Sequence, residues 1–134
     1  MNFEIAINRA LTVEQVATLY TLSGINRPTD DLPRMQRLLD NANLTVSAWQ
    51  GENLIGLARS FCDYGWVCYL SDLAVAQNDQ HQGVGRALIE ATRAHIGPQC
   101  QLVLLSAPTA MEYYPKVGFE KAEHAFMIKR VQGV

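Results

Sequence analysis

Alternation of apolar and polar residues predicts several short strands in the first half of the chain. Residues 3–8 (FEIAIN) alternate as a first strand would. Residues 44–50 and 54–62 flank a polar turn that contains Gly51, which is typical of an antiparallel hairpin. Residues 67–76 (VCYLSDLAVA) form another β-rich run. We therefore expect one strand near the start of the chain and three consecutive strands in its middle.

Helical spacing of apolar residues separates these strands. Thr12 stands before an apolar pattern that predicts a helix over residues 13–22. Asp31, followed by Leu32 and Pro33, is a second helix start, and that helix should end near Asn41. From Val84 onward an apolar stripe predicts a third helix, which Gly97 and Pro98 terminate.

The last third of the chain completes the pattern. Residues 101–106 (QLVLLS) predict a central buried strand, residues 109–116 a short helix, and residues 125–130 (AFMIKR) a final strand. This mixed order predicts an α/β (α+β) fold in which helices cover both faces of a mixed central sheet. With no linker or repeat visible, we expect one domain spanning residues 1–134.

Composition and charge exclude several classes of protein. The 134 residues are 49% hydrophobic and 18% charged, which is typical of a globular chain and excludes a disordered one. Eleven basic and thirteen acidic residues give a net charge of −2, which disfavours nucleic-acid binding. No apolar run approaches the ~20 residues of a membrane span, and no leader pattern is visible. We expect a soluble, cytoplasmic protein whose three cysteines are free thiols.

The junction between the run at 67–76 and the following helix is the most informative segment. Residues 80–85 (QHQGVG) place two glycines where a loop enters the helix, and such a junction binds anions through free backbone N–H groups. A P-loop would require Gly-Lys-Ser/Thr, which is missing. A dinucleotide fingerprint would require a third glycine at Leu88. The remaining design is Gln/Arg-x-x-Gly-x-Gly/Ala.

A second motif lies about 30 residues later. Residues 110–119 (AMEYYPKVGF) fit the pattern Ala-x-x-x-Tyr-x-Lys-x-Gly-Phe. With both motifs in this order and spacing, the sequence resembles the GNAT superfamily of N-acetyltransferases. The resemblance covers essentially the full chain, because the inferred element order is that of the family: one strand, two helices, three strands, a helix, a strand, a helix and two strands.

The resemblance implies that the chain binds acetyl-CoA as co-substrate and needs no metal. Backbone N–H groups of the loop and first helical turn would hold the CoA pyrophosphate, and the edge of the preceding strand would pair with pantetheine. A backbone N–H near Leu73 would face the thioester oxygen. The cofactor-binding residues expected on this basis are Leu73, Ala74, Val75, Gln80, Gln82, Gly83, Val84, Gly85 and Arg86.

The resemblance also suggests catalytic residues. Tyr114 occupies the family position of the acid that protonates the departing thiolate. Asp72 is the nearest carboxylate to the strand position where some relatives carry a glutamate base. Alternation places Asp72 on the face of Leu70 and Ala74. Asp72 is therefore either the base or a structural carboxylate that accepts backbone N–H bonds at a bulge, and a water can serve as the base instead; these alternatives stay open.

Candidates for binding the acceptor lie in two places. Arg59 and Asp63 are four residues apart on one strand, and either line the acceptor pocket or pair with each other at the sheet surface. In the family, the loop between the first two helices covers the acceptor site, which makes Asn26, Arg27, Asp30 and Asp31 candidates, and the sequence does not fix which of them bind the acceptor.

The expected activity is transfer of an acetyl group from acetyl-CoA directly to a primary amine of a small molecule, peptide or protein. The alternative is a non-catalytic module that binds acyl-CoA and regulates another process. Acetylation of a tRNA-borne amine has less support, although Arg27, Arg34 and Arg37 contribute positive charge to one region of the chain. Family members often dimerise, so a homodimer is compatible with the sequence.

Overall fold

The order of helices and strands follows the predicted pattern up to residue 104. The computed structural model describes residues 2–134. Its strands are β1 (Glu4–Ile7), β2 (Leu44–Gln50), β3 (Asn53–Cys62), β4 (Val67–Val75) and β5 (Gln101–Val103), and its helices are α1 (Val13–Ser23), α2 (Leu32–Asn41), α3 (Val84–Ile96) and α4 (Tyr113–Lys116).

The five strands form one mixed sheet in the order β1-β2-β3-β4-β5. The first four pair antiparallel, and β5 pairs parallel to β4 through only three residue pairs, from Val67 with Gln101 to Tyr69 with Val103. The predicted central strand at residues 101–106 is therefore shorter than expected and lies at the edge of this sheet. The predicted α/β class is confirmed, with helices packed on a mixed sheet.

Side-chain caps explain why the first two helices begin where they do. The Thr12 hydroxyl accepts the Gln15 N–H at 3.1 Å, and the Gln15 side chain accepts the Thr12 N–H at 2.9 Å, which is a reciprocal capping box. Asp31 caps α2 by accepting the Arg34 N–H at 3.1 Å. Both helices were predicted from these residues, and the predictions are confirmed.

Apolar side chains form a cluster on each face of the sheet. Successive residues of a strand point to opposite faces, and Leu57 packs with α1 and α2 whereas Ala58 packs with α3. The α1 side includes Leu19, Tyr20, Met35 and Trp49, all buried. Helices therefore cover both faces, as predicted.

Helix α3 approaches the sheet closely at Gly56. A β-carbon at this position would lie 3.0 Å from both Leu88 Cδ1 and Val84 Cγ1. Such contacts are tighter than nine in ten real β-carbon contacts, so with any larger residue these two side chains would have to shift by a few tenths of an ångström. Gly56 thus leaves room for the side chains by which α3 packs on the strands.

The described residues up to Leu104 form one compact unit and Leu105–Val134 a second. Within the second unit a 3-10 turn at Pro108–Ala110 and the four-residue α4 replace the predicted helix at 109–116. Pro115 accounts for the interruption, because it lacks the N–H that would bond to the Met111 carbonyl. The single domain expected over residues 1–134 stays a prediction.

The predicted strand at residues 125–130 is wrong for this structure. These residues form no ladder, and Phe126 and Ile128 are 98% and 101% exposed. A strand requires a partner edge as well as alternation, and none of the described residues pairs with this segment. The sheet consequently has five strands instead of the seven that the resemblance implied.

The cysteines and the lengths of the helices were also predicted from the sequence. Cys62 and Cys68 are buried free thiols and Cys100 is a half-buried one, as predicted. No helix among residues 2–134 is both long enough and apolar enough to span a bilayer.

Candidate functional site

The glycine loop, residues 80–85, leads into a helix N-terminus that no side chain caps. Gly83 has φ +84°, a left-handed conformation that glycine adopts without strain, and α3 begins at the next residue. The first helical hydrogen bond runs from the Ala87 N–H to the Gly83 carbonyl at 3.0 Å. No side chain caps the helix, so the N–H groups of Val84 and Gly85 point into the loop. The predicted anion-binding geometry is present.

The loop is tied to the end of β4. Gln80 donates its side-chain Nε2 hydrogen to the Val75 carbonyl at 2.9 Å. Gln82, which follows the left-handed residue His81, is exposed, and the space beside Gly83 is open within 4 Å. The loop that enters α3 is therefore joined to the last residue of β4 within the first unit.

The edge of β4 is open beside this loop. Strand β5 pairs with β4 only as far as Tyr69, which leaves Leu73 and Val75 without a strand on that side among residues 2–134. The Ala76 N–H bonds to the Ile55 carbonyl at 3.0 Å, so antiparallel alternation turns the backbone of Ala74 toward β3. The N–H and C=O groups of Leu73 and Val75 consequently face the open edge.

A β-bulge at Ser71 changes the faces of β4. Arg59 is opposite Asp72, but Ser60 is opposite Leu70, so Ser71 is an extra residue. Leu70 therefore packs on the α3 side, whereas Ala74 packs on the α1 side. The prediction that Asp72 shares the face of Leu70 is wrong, because one inserted residue reverses the alternation.

Asp72 is the centre of a buried polar cluster. Its Oδ2 accepts the Tyr20 hydroxyl at 2.6 Å and the Arg59 Nε hydrogen at 2.5 Å. Its Oδ1 accepts the Arg27 Nε hydrogen at 2.6 Å and a longer bond from the Ser71 hydroxyl at 3.3 Å. We call Tyr20, Arg27, Arg59, Ser71 and Asp72 the Asp72 cluster. All four donors are side chains, so among the described residues Asp72 has the contacts of a structural carboxylate, held by side chains and not by the backbone N–H groups predicted.

The electrostatics of the cluster agree with this interpretation. Burial alone would raise the pKa of the Asp72 carboxyl, but the bond and charge of Arg59, and then the charge of Arg27, lower it below its usual range. Burial and the adjacent carboxylate raise the pKa of Tyr20 well above its usual value. Asp72 is thus ionised and Tyr20 neutral at neutral pH, and an ionised carboxylate held by two guanidinium groups is a weak base.

Arg27 connects the loop between α1 and α2 to β4. Besides its bond to Asp72, it donates from Nη2 to the Ser71 carbonyl at 2.8 Å and from Nη1 to the Asn26 carbonyl at 2.7 Å. Its side chain remains 28% exposed, whereas that of Arg59 is only 4% exposed. Of the acceptor-binding residues predicted in this loop, Arg27 contacts the bulge directly, and Asn26, Asp30 and Asp31 are exposed on the same loop.

Asp63 lies apart from the cluster. It follows the last residue of β3, and its Oδ1 accepts the backbone N–H groups of Gly65, Trp66 and Val67 at 2.8–3.0 Å. These bonds lower the pKa of the Asp63 carboxyl. The proposed pairing with Arg59 is wrong, because Arg59 bonds to Asp72 and Asp63 caps the turn between β3 and β4.

Tyr114 lies in the second unit, on α4. Its ring packs edge-on against Tyr113 at 5.2 Å and against Phe119 at 5.5 Å between centroids. Burial, and secondly the neighbouring Tyr113, raise the pKa of the Tyr114 hydroxyl above its usual value. A hydroxyl in this environment is protonated at neutral pH, which is the state that a general acid requires.

Sequence reasoning missed two members of the cluster. Tyr20 sits in the apolar pattern of α1 and gave no sign of a polar role, since a buried tyrosine is common in a core. Ser71 gave no signal because the bulge was not predicted. Among residues 2–134, no group of three or more His, Cys, Asp or Glu side chains is placed to hold a metal ion. That the reaction needs no metal stays a prediction.

A family model described as an acetyltransferase (GNAT) domain matches residues 15–133, which is most of the chain. No curated protein matches the sequence.

Solved structures share the fold. A probable acetyltransferase of unknown function from meticillin-resistant Staphylococcus aureus is 24% identical, with a TM-score of 0.78, covering 95% of this chain and 100% of that one. A putative GNAT-family acetyltransferase from Xanthomonas campestris is 23% identical, with a TM-score of 0.77 and coverages of 98% and 94%. The aminoglycoside N-acetyltransferase AAC(6')-Iy, solved with CoA, is 18% identical, with a TM-score of 0.72 and coverages of 98% and 96%.

Proposed function

Because the chain belongs to the GNAT acetyltransferase family, we propose that it transfers an acetyl group from acetyl-CoA directly to a primary amine. The observation that carries this proposal is the uncapped N-terminus of α3 at Gly83, placed beside the open edge of β4. A thioester co-substrate with a pyrophosphate and an extended amide-bearing arm requires both features. The complex of AAC(6')-Iy with CoA supports the same choice.

The loop residues bind the co-substrate mainly through their backbone. N–H groups of residues 82–86 hold the pyrophosphate, aided by the positive end of the α3 dipole. The open N–H and C=O groups of Leu73 and the open N–H of Val75 pair with the amides of pantetheine, as a strand adds to a sheet edge. Gln80 keeps the two parts together by its bond to Val75.

The transfer itself forms a carbon–nitrogen bond and breaks the carbon–sulfur bond of the thioester. The Leu73 N–H donates to the thioester oxygen and stabilises the negative charge that develops there. Tyr114 donates its proton to the departing thiolate. The proton of the attacking amine passes to water, because the lone pairs of Asp72 are occupied by Tyr20, Arg27 and Arg59.

The Asp72 cluster therefore positions groups and takes no proton from the amine. It fixes the bulge at Ser71, and the bulge sets the direction of the Leu73 N–H two residues later. In this proposal Asp72 is a positioning residue, and Tyr114 and the Leu73 N–H are the catalytic groups.

Turnover distinguishes this function from a non-catalytic acyl-CoA-binding module. Purified protein is incubated with acetyl-CoA and a panel of amines, thiol release is followed, and products are identified by mass spectrometry. We expect amine-dependent thiol release and a product heavier by one acetyl group on nitrogen. Binding of acetyl-CoA without thiol release for any amine would contradict transfer and support the non-catalytic module.

A further inference from the structure

The Asp72 cluster contains more positive than negative charge. Arg27 and Arg59 share the single carboxylate of Asp72, and Tyr20 is neutral. Among the described residues, Asp72 is the only carboxylate paired with either guanidinium. One positive charge is thus left without a partner at the interface between the α1–α2 loop and β4.

That charge is accessible at Arg27. A guanidinium has five N–H bonds, and three of those on Arg27 are used by Asp72, Ser71 and Asn26. Two N–H bonds remain, one on each terminal nitrogen, and a carboxylate binds a guanidinium through its N–H groups. The side chain is 28% exposed, so a small ligand can reach it, whereas Arg59 is buried beneath it.

Arg27 also lies near the expected reaction centre. Its Nη2 bonds to the Ser71 carbonyl, and Leu73, whose N–H faces the open edge of β4, is two residues further along the strand. Two residues of a strand span about 7 Å. A small molecule whose amine attacks a thioester at Leu73 can therefore place a second group, a few bonds away, against Arg27.

Resting on the acetyl transfer proposed above, we propose that the acceptor is a primary amine that also carries a carboxylate, such as an amino acid, and that Arg27 binds this carboxylate. The carboxylate supplies the negative charge that the Asp72 cluster lacks. The two exposed carboxylates of the same loop do not neutralise Arg27, because Asp31 caps α2 and neither it nor Asp30 is paired with Arg27.

The same charge disfavours polycationic acceptors. An aminoglycoside would bring several ammonium groups toward an unpaired guanidinium, and like charges at close range lower affinity. The fold similarity to AAC(6')-Iy therefore does not extend to its substrate class in this proposal.

The test uses matched acceptors that differ only in the carboxylate. Thiol release is measured with the twenty common amino acids and with their carboxamides, and with spermidine and an aminoglycoside as cationic comparators. We expect at least one amino acid to be acetylated with kcat/KM at least tenfold above that of its carboxamide, and both cations to be poorer still. Equal or faster turnover of the carboxamides or cations would overturn the proposal.

Variants show whether Arg27 causes the preference. Arg27→Gln should raise KM for the amino acid at least tenfold and raise KM for its carboxamide much less. Arg27→Lys keeps the positive charge but loses the planar guanidinium, so its KM for the amino acid should lie between those of the wild type and Arg27→Gln. Arg37→Gln, the same change at an exposed residue of α2, should keep the preference. If Arg27→Gln slows both acceptors equally, Arg27 is only structural and the proposal is wrong.

A melting-temperature shift with acetyl-CoA separates this inference from the function on which it rests. A shift with turnover but no carboxylate preference overturns this inference alone. A shift without turnover of any acceptor overturns transfer and this inference together, and the absence of both shift and turnover overturns the co-substrate as well. Arg27→Gln should retain the shift, which shows that the variant is folded.

Discussion

The carboxylate of Asp72 and the guanidinium of Arg59 lie directly opposite each other on β4 and β3, joined by a 2.5 Å bond from Arg59 Nε to Asp72 Oδ2. Both side chains are almost completely buried. The bond lies next to the bulge at Ser71, so it holds together the part of the sheet where the strand changes face. Stability and the shape of the open β4 edge therefore depend on the same pair.

We predict that Asp72→Asn mainly destabilises the protein. Removing one partner of a buried ion pair leaves Arg59 without a counter-charge, which costs about 3–5 kcal/mol. In a chain of this size such a loss lowers the melting temperature by on the order of 10 °C. Asp30→Asn, at an exposed carboxylate of the α1–α2 loop, should have little effect. An unchanged melting temperature combined with a lost rate would instead identify Asp72 as the base.

Stability should fall in acid in a way that depends on Asp72. The pKa of this carboxyl is lower in the folded protein than in the unfolded chain, so its contribution is fully present above pH ~4. As pH falls further, through the folded-state pKa, the contribution is lost. Urea unfolding between pH 7 and 2 should show a flatter acid slope for Asp72→Asn than for the wild type. Identical slopes would contradict the assignment; Asp63, whose pKa is also lowered, is present in both proteins.

The conformation at Gly83 offers a direct test of the phosphate loop. Gly83→Ala forces a non-glycine residue into φ +84° and places a methyl group where the pyrophosphate is expected to lie. Gly97→Ala is a control at the other end of α3, because Gly97 also has a positive φ of +82° and open space around it, with ψ 175° where Gly83 has 4°. We expect both variants to lose about 1–3 kcal/mol of stability. Only Gly83→Ala should weaken acetyl-CoA binding, by tenfold or more in a titration; equal affinities would contradict the loop assignment.

Tyr114→Phe tests the proposed acid. Removing the hydroxyl should lower kcat by about a hundredfold or more and leave the affinity for acetyl-CoA unchanged. Since the pKa of Tyr114 is raised, the wild-type rate should decline only above pH ~10, and this decline should vanish in the variant. Tyr113→Phe, on the adjacent residue, should keep both rate and pH profile. An unchanged rate and profile in Tyr114→Phe would show that another group protonates the thiolate.

Local signals predicted much of the fold. Thr12 and Asp31 mark helix starts by side-chain chemistry that acts within three residues, and the hairpin of β2 and β3 follows from alternation on both sides of Gly51. The glycine loop before α3 was predicted for the same reason, because the residues that shape it are adjacent in sequence. Elements that depend only on neighbours in the chain could therefore be predicted from the sequence.

Features that depend on residues distant in the sequence could not be predicted. The bulge at Ser71 arises from the pairing of β4 with β3, and its single extra residue reversed the predicted face of Asp72. The partner of Arg59 could not be read from spacing, since Asp63 is near in sequence but Asp72 is opposite in the sheet. Tyr20, 52 residues from Asp72, looked like any core tyrosine. The sequence thus indicated the glycine loop but not the Asp72 cluster.

Co-substrate binding is the central claim, and a thermal shift tests it most directly. The melting temperature of the purified protein is measured alone and with saturating acetyl-CoA, CoA, ATP or NADH. A ligand at 100 times its Kd stabilises the folded state by about 2.7 kcal/mol, which raises the melting temperature by several degrees. We predict that shift for acetyl-CoA and CoA but not for NADH. No shift with acetyl-CoA or CoA, in protein shown to be folded, would contradict the account.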